Sequence, residues 1–489
     1  MEQEAAEDYA HHGLYHACIG EVIHKRYHVI RKVGWGNFST VWLTWDSRRK
    51  RFAALKIAKS QKDYTQTALD EAKMLKLIAK RAAEFEKDPP TNWDVFLGKN
   101  HVVKYFDNFR IKGAPDPTTG KRLVHYCIVT EILGESMLTL LHHTKYRGLH
   151  GDVLYRFCKE SLRGLAFLHH IGVIHTDIKP ENILVVKDDK EICDDALDIL
   201  DMIKHGELLP AEAICSVGIP DNVQAWHKTR SYGKRQNYDL TVFQGTVSPT
   251  IDVDKLEIAI TTYRDSIGEL ENGPEYKIAD LGNACYNWQH FTENIQTLQY
   301  QSPETLFGSG YDSTADIFSL GCTIYELAVG EFLFEPRHCE DDRLTKEQSH
   351  LLLMQEVLGP IPFHVFAHGS LFKKTLEDGN LLGAIISRPS NSLELQEILH
   401  SQYLWDIRSA FKLTAFLLPM LRWIAKTARR RSNAYATNGC VAKETRSGRP
   451  LYRPSVIMYC LTYYALCLFG NKSELRETLR CLFPFKLLE

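Results

Sequence analysis

Hydrophobic and polar positions alternate along much of the first 133 residues, a pattern typical of half-buried β-strands. Turn-forming residues separate the alternating segments. Residues 64–87 are instead rich in Ala, Leu, Lys and Glu and repeat their apolar positions at helical spacing. The pattern predicts a small β-rich region with one helix, and it places strands at residues 27–34, 39–45, 51–57, 101–112 and 122–133.

After Gly134 the pattern becomes mostly helical. The stretch 187–274 interrupts it and reads as an insertion, whose first part (residues 188–203) holds seven acids and one lysine, a net charge of −6, and can form a helix. The tail shows no clear periodicity. We therefore expect these regions: a polar, only partly ordered extension (1–26), a β-rich lobe (27–133), a helical lobe in two parts (134–186 and 275–432), the insertion (187–274) and a divergent tail (433–489).

Composition narrows the class of protein. Across 489 residues, 59 basic and 61 acidic side chains give a formal net charge of −2, which argues against a wholly basic nucleic-acid binder and against an acidic disordered chain. The 12 cysteines include no C-x-x-C pair, and the first residues lack the features of a signal peptide. The most apolar run, residues 456–469, is shorter than the roughly 18 residues of a membrane span. We expect a soluble intracellular protein with reduced thiols.

A glycine-containing turn lies between the first two predicted strands, at residues 33–41. Glycine lets backbone N–H groups approach phosphate oxygens closely, because a Cβ atom would obstruct them. Gly34 and Gly36 are placed for such a role. Taken alone the signal is weak, since glycine-containing hairpins are common.

Lys56 lies in an otherwise apolar strand, and a buried ammonium needs an anionic partner. On the following helix, Glu71 shares the inward face with apolar residues at 3–4 spacing. The two side chains are natural partners. The alternative is that Lys56 extends to solvent and Glu71 is a rim charge.

A polar loop between apolar flanks carries Asp177, Lys179 and Asn182. Such a loop can offer a carboxylate to a hydroxyl, an ammonium to a phosphate and an amide oxygen to a metal. Asp280 follows a short apolar strand and is a natural metal carboxylate. Each of these residues could instead be a simple turn former, but the joint pattern argues against it.

These motifs together resemble a eukaryotic protein kinase, with its glycine-rich loop, strand lysine, catalytic loop and D-F-G-like segment in order. More narrowly, the chain resembles the SR-protein kinases, which phosphorylate serines of Arg/Ser-rich splicing factors, over about residues 15–420. The matching segments are RYHVIRK (26–32), FSTVWL (38–43), YTQTALDE (64–71), HTDIKPEN (175–182), KIADLGNAC (277–285) and FEP (334–336). The resemblance implies an α+β, bilobal kinase fold, with a β-rich N-lobe and a mainly helical C-lobe that an insertion splits.

The resemblance also implies the site and its cofactors, ATP and Mg²⁺. Asp177 would accept the proton of the substrate hydroxyl, Lys179 would neutralise the moving phosphoryl group, and Asn182 and Asp280 would hold Mg²⁺. Lys56, paired with Glu71, would bind the α/β-phosphates, and the backbone of Glu131 and Leu133 would contact adenine. The full set of expected ATP-binding residues is Val33, Gly34, Gly36, Asn37, Phe38, Ser39, Val41, Ala54, Lys56, Glu71, Glu131 and Leu133.

Several positions depart from the general protein-kinase pattern or from that of the SR-protein kinases. Thr176 replaces the arginine that pairs with a phosphorylated activation loop, as it does in the SR-protein kinases, so we expect activity without that phosphorylation. Leu298 and Gln301 replace two arginines that help meet phosphorylated substrate. Ser349 replaces an acid of the family's docking groove, for which residues 340–342, Glu347 and Glu356 supply the remaining acids. A solvated acidic surface is the alternative interpretation of that run.

Three further residues and one basic run are assigned roles from the sequence. Thr130 replaces a bulky residue before the hinge and would open space behind the adenine. Asp316 should brace the catalytic loop from an apolar helix, and Glu304 should pair with a late arginine, Arg430 being the first choice. The basic run 426–431 is a nuclear-import signal or a solvated face.

The sequence thus predicts an ATP-dependent serine/threonine kinase of Arg/Ser-rich, RNA-processing proteins, acting as a monomer in cytoplasm and nucleus. We expect neither direct nucleic-acid binding nor membrane association. Two alternatives stay open: a kinase of the same fold with drifted substrate choice, and a pseudokinase scaffold.

Overall fold

A computed structural model describes residues 3–9, 13–116, 119–149, 151–215, 247–268, 275–337, 344–372 and 395–423. The chain divides into two compact units. The first holds the described parts of residues 1–89, 102–134 and 185–275, and the second holds those of 90–101, 135–184 and 276–489. The first unit is built around a β-sheet and the second is mainly helical, so the expected α+β class is confirmed.

The first unit contains a six-stranded sheet in the order β1-β2-β3-β4-β6-β5, and every neighbouring pair is antiparallel. The bounds agree with the predicted segments to within a few residues. The strands are β1 (Val22–Ile23), β2 (Tyr27–Gly36), β3 (Ser39–Asp46), β4 (Arg51–Ala58), β5 (Tyr105–Pro115) and β6 (Arg122–Thr130). The helix after β4, α1, runs from Lys62 to Lys87.

Alternation along these strands sends side chains into two separate cores. On β3, Trp42 belongs to a core with residues of β4 and β6, whereas Leu43 and Trp45 belong to a second core. The second core is completed by the insertion, through helices α5 (Asp189–Lys204) and α6 (Val253–Ser266). The acidic start of the insertion is therefore helical, as predicted, and the apolar face of α5 covers one side of the sheet.

The described part of the N-terminal extension, residues 3–9 and 13–26, contains several buried side chains. Leu14, Ala17 and Ile19 are buried, and Ala17 and Ile19 pack in cores with residues of the sheet. The carboxylate of Glu4 forms a buried ion pair with Lys32 of β2, with an N–O distance of 2.8 Å. Three apolar residues spread over a polar segment give no periodic signal, so the sequence pattern does not predict this packing.

The second unit surrounds one helix, α8, whose residues 315–329 are all buried. Two short strand pairs carry the loops of interest, the antiparallel pair of β7 with β10 and the pair of β8 with β9. Its strands are β7 (Val173–Ile174), β8 (Ile183–Val185), β9 (Tyr276–Ile278) and β10 (Cys285–Tyr286). Its helices are α2 (Trp93–Gly98), α3 (Met137–His143), α4 (Gly151–His170), α7 (Pro303–Leu306), α8 (Thr314–Val329), α9 (Lys346–Leu358), α10 (Phe363–Phe366), α11 (Leu395–Ser401) and α12 (Ile407–Leu417).

Within the described ranges, no helix has the length and hydropathy that crossing a membrane requires.

Candidate functional site

The glycine-containing segment forms the hairpin between β2 and β3. Gly34 pairs with Val41 and Gly36 pairs with Ser39, which leaves Asn37 and Phe38 as the two-residue turn. A Cβ atom built on either glycine meets nothing within 4 Å, so packing within the protein does not require glycine there. The absence of a Cβ leaves the backbone of the hairpin open to a ligand.

Lys56 of β4 and Glu71 of α1 form an ion pair in the first unit. The ammonium nitrogen lies 3.0 and 2.9 Å from the two carboxylate oxygens of Glu71. Glu71 is buried, and the side chain of Lys56 retains 29% of its exposure. The predicted partnership is therefore present in the structure, and the lysine keeps an accessible side.

The segment after β6 carries the backbone groups that the sequence assigns to adenine. The N–H of Glu131 donates to the carbonyl of Lys104, and the Thr130 hydroxyl donates to the carbonyl of Glu131 at 3.1 Å. Among the described residues, neither backbone group of Leu133 has a hydrogen-bond partner. A donor and an acceptor are thus available at Leu133 for a planar heterocycle.

The second unit brings Asp177, Lys179 and Asn182 together. The Lys179 ammonium lies 2.9 Å from Oδ2 of Asp177, and the Asn182 side-chain amide donates to the Asp177 carbonyl at 2.8 Å and to its carboxylate at 3.1 Å. The hydroxyl of Thr297 donates to Oδ1 of Asp177 at 2.7 Å and accepts from Lys179 at 2.9 Å. The carboxylate therefore already holds one hydroxyl in the manner expected of a base acting on an alcohol.

Thr297 was missed by sequence reasoning. It lies 120 positions after Asp177, in a segment without strong periodicity, and only the fold brings the two together. A threonine among polar residues gives no chemical signal of its own. The hint in the sequence was its place immediately before Leu298, in the segment that also holds Gln301 and Glu304.

Asp316 holds the catalytic loop from the buried helix α8, as the sequence predicts. Its two carboxylate oxygens accept the backbone N–H groups of His175 (2.9 Å) and Thr176 (2.8 Å). The ring of His169 lies 2.7 Å from the same carboxylate. Burial alone would raise the pKa of Asp316, but the hydrogen bonds from His169 and the backbone lower it below its ordinary value.

His175 joins the catalytic loop to the segment that carries Asp280. Its Nε2 lies 2.9 Å from the carbonyl of Ala279, and its Nδ1 accepts the N–H of Asp177 at 3.2 Å. The N–H of Ala279 donates to the carbonyl of Asn182 at 2.9 Å. Asp280 itself is exposed and has a left-handed backbone, with φ of 54°.

The oxygen groups of Asn182 and Asp280 fit a magnesium ion. The side-chain NH2 group of Asn182 donates to the backbone carbonyl and to the carboxylate of Asp177. The side-chain oxygen of Asn182 is left for another partner. The described residues contain no group of three or more His, Cys, Asp or Glu side chains that could hold a metal by themselves. Magnesium fits such a site, because one or two protein oxygens bind it together with substrate phosphates and water.

The residue that replaces the usual arginine, Thr176, is buried and bonded within the unit. Its hydroxyl donates to the carbonyl of Asn283 at 2.9 Å, and its φ is 71°. A short neutral side chain held in this way offers no cation to a phosphate. Gln301, which replaces one of the family's substrate-facing arginines, is also buried and donates to the carbonyl of Ile295.

Two carboxyl groups, Glu304 of α7 and Glu326 of α8, have raised pKa values. Burial raises the pKa of Glu304 to about 7, and the charge of Asp312 adds to it. Burial likewise raises the pKa of Glu326 to about 7, although the hydroxyl of Tyr300 donates to it at 2.6 Å. Within the described residues Glu304 has no basic partner, and the proposed partner Arg430 lies outside them.

The predicted docking acids are only partly within the described chain. Glu347 and Glu356 are exposed on α9, and Ser349 is half-buried on the same helix. Residues 340–342 lie outside the described residues, as do the basic run 426–431 and the tail.

Comparison with known proteins identifies the family. Residues 97–201 and 269–403 match the protein kinase domain, and the gap between the two matches falls in the insertion. A serine/threonine-protein kinase SRPK of Physarum polycephalum is 35% identical and covers 86% of this chain and 87% of its own length. SRSF protein kinase 3 of Mus musculus is 31% identical, with 86% and 88% covered.

A third relative is longer. Serine/threonine-protein kinase spk-1 of Caenorhabditis elegans is 32% identical over 86% of this chain, and the chain spans about half of that relative, 49%. The coverage of the other two relatives and the two-part kinase match support one conclusion. The chain belongs to the SR-protein kinase family of serine/threonine protein kinases.

Proposed function

We propose that the protein transfers the γ-phosphoryl group of ATP to serines of Arg/Ser-rich proteins and thereby regulates mRNA splicing and processing. The observation that carries the proposal is the contact of a hydroxyl with the Asp177 carboxylate, beside the Lys179 ammonium. A substrate serine presented in the same way would lose its proton to Asp177 as its oxygen attacks phosphorus. The names of the SRSF and SRPK relatives supply the substrate class.

The roles of binding ATP and Mg²⁺ are proposed for residues of each unit in turn. In the first, the hairpin backbone and Lys56, fixed by Glu71, are proposed to bind the phosphates, while Leu133 and Glu131 bind the adenine. In the second, Asn182 and Asp280 are proposed to hold Mg²⁺, and Lys179 to stabilise the charge that develops during transfer. When bound, the metal neutralises the phosphate oxygens. Because all these groups are present, an active enzyme is favoured over a pseudokinase scaffold.

The proposal extends to partners and place of action. Exposed acids such as Glu347 and Glu356 favour an arginine-rich peptide by their charge. We propose a monomer that acts on proteins in cytoplasm and nucleus, without direct binding to nucleic acid or membrane.

The decisive experiment compares three peptides with purified protein and labelled Mg-ATP: Arg/Ser repeats, a Ser-Pro peptide, and a peptide with serine in acidic context. The proposal predicts the highest kcat/KM for the Arg/Ser repeats. A preference for either other peptide would instead support a kinase with drifted substrate choice, to which Leu298, Gln301 and Ser349 point. Transfer to none of the three would favour the scaffold.

A further inference from the structure

We infer that the end of the sheet opposite the glycine-containing hairpin binds phosphoserine-bearing segments of protein substrates. The surface consists of Lys25, Arg48, Arg49 and Lys50, and we name it the basic end. The inference rests on the proposed function for the identity of its partner, because the kinase reaction itself makes phosphoserine.

Two turns meet at this end of the sheet. One leads from β1 into β2 and contains Lys25, and the other joins β3 to β4 at residues 47–50. The backbone N–H and the hydroxyl of Ser47 both donate to the carbonyl of Arg26, at 3.1 and 2.9 Å. The ten residues of β2 place this end about 30 Å from the hairpin turn. The basic end is therefore a surface separate from the proposed phosphate loop.

The neighbouring acids are already occupied. Arg26 binds both carboxylate oxygens of Asp46, at 2.7 and 2.6 Å, and reaches Asp107 at 2.9 Å. Arg51 lies 3.9 Å from Asp46, and its guanidinium covers the ring of Phe106, 3.3 Å from the centroid. The charges of Asp46 and Asp107 are thus committed to these two arginines.

The four members of the basic end are left without such partners. Lys25, Arg48, Arg49 and Lys50 are all exposed, and among the described residues none forms an ion pair. Asp46 fixes the turn that carries three of them, because its Oδ1 accepts the backbone N–H groups of Arg48 and Arg49 at 3.1 and 3.2 Å. Four like charges held close together repel one another, and an anion relieves that repulsion.

The chemistry of the surface favours phosphate groups over nucleic-acid bases. A guanidinium presents paired N–H donors that match two oxygens of one phosphate. Base recognition in single strands relies on exposed aromatic rings. The rings at this end offer little free face: Tyr27, Trp45 and Phe52 are buried, Arg51 covers Phe106, and the exposed ring of His24 is stacked on Phe109 with 4.3 Å between centroids. A phosphorylated, extended protein segment therefore fits better than single-stranded RNA.

The inference is tested by binding in the absence of ATP, with the full chain. The probes are a fluorescent Arg/Ser-repeat peptide, the same peptide with phosphoserines, and a single-stranded RNA of matched charge. The basic-end variant carries Arg48→Gln, Arg49→Gln and Lys50→Asn, the last because Lys50 has a φ of 50°, which asparagine tolerates. The control variant, Lys62→Gln, Lys76→Gln and Lys87→Gln, removes the same charge from exposed positions on α1.

We expect the basic-end variant to bind the phosphopeptide roughly tenfold more weakly, while the control variant binds it like the wild type. Equal loss in both variants would overturn the inference, because only net charge would then matter. An RNA that binds as tightly as the phosphopeptide, with the same loss, would also overturn it. A separate kinase assay tests the proposed function. A wild-type protein that phosphorylates no Arg/Ser peptide would refute that function, whatever the phosphopeptide binding shows.

Discussion

The hydroxyl of Thr297 donates a hydrogen bond of 2.7 Å to the carboxylate of Asp177 and accepts one of 2.9 Å from the ammonium of Lys179. One threonine thus connects the proposed base and the proposed phosphoryl-binding lysine. Both side chains gain a fixed position before any substrate arrives. Thr297 acts through these two residues, so we regard it as a positioning residue.

Replacing Thr297 by valine should lower kcat by roughly 10- to 100-fold, because hydrogen bonds to charged groups are worth about 1.5–3 kcal/mol. Thr297→Ser keeps the hydroxyl and should retain most of the activity. Steady-state kinetics on an Arg/Ser peptide measure both. Thr292→Val, in the same segment, is the control, because the Thr292 hydroxyl bonds to the backbone of Asn294. A valine variant as active as the control would remove the positioning role.

Burial raises the pKa of Glu326 from its ordinary value of 4.5 to about 7, which predicts a pH dependence of stability. Between these two values the folded protein holds a proton that the unfolded chain has lost. Its stabilising contribution is therefore complete below pH 4.5 and is lost as the pH rises through 7. Glu326→Gln keeps an acceptor for Tyr300 and should flatten this slope, by roughly 1–3 kcal/mol between pH 5 and 8.

Denaturant unfolding at pH 5, 6, 7 and 8 measures that slope. Glu347→Gln, an exposed change on α9, serves as the control and should leave the wild-type curve unchanged. If Glu326→Gln showed the same pH slope as the wild type, the buried carboxyl would not titrate in this range.

Thr176 bonds to the carbonyl of Asn283 and presents no cation to a phosphorylated loop. We therefore expect phosphatase-treated protein to keep its full activity toward an Arg/Ser peptide. The measurement is initial rate before and after treatment, with complete removal of phosphate checked by mass spectrometry. Loss of activity on treatment would contradict the role assigned to Thr176.

Thr130 ends β6 opposite Ala54 and Tyr105, and its side chain is short and half-buried. The smaller residue should leave space behind the adenine, so inhibitors of the ATP site with bulky substituents should bind well. Thr130→Phe should raise their inhibition constants by about tenfold or more, while the KM for ATP changes little. Equal inhibition of both proteins would dismiss this interpretation of Thr130.

Local patterns were sufficient for much of the fold and for part of the site. Alternation along β2 to β4 and the helical repeat around Glu71 predicted these elements, and the Lys56–Glu71 pair followed from two charges on adjacent apolar surfaces. The three polar residues of the catalytic loop were also found, because they are close in sequence. Contacts of this kind depend on spacing that the sequence displays directly.

Contacts between distant segments were not predictable in the same way. The pairing of Thr297 with Asp177 and of Glu4 with Lys32 joins residues whose neighbours carry no complementary pattern. The sequence pattern indicated that α5 is a helix, but an amphipathic pattern does not say which surface the helix covers. Its place on the sheet depends on the match of Ile192 and Ile199 to the apolar face of β3 that carries Leu43 and Trp45, which only the fold reveals.

The most direct test of the account is transfer of labelled phosphate from Mg-ATP to an Arg/Ser-repeat peptide by the purified chain, beside Lys56→Met and Asp177→Asn. The account predicts rapid incorporation on serine by the wild type and a loss of at least about 100-fold in each variant. Incorporation at the same rate by the wild type and both variants, or by none of the three, would contradict it.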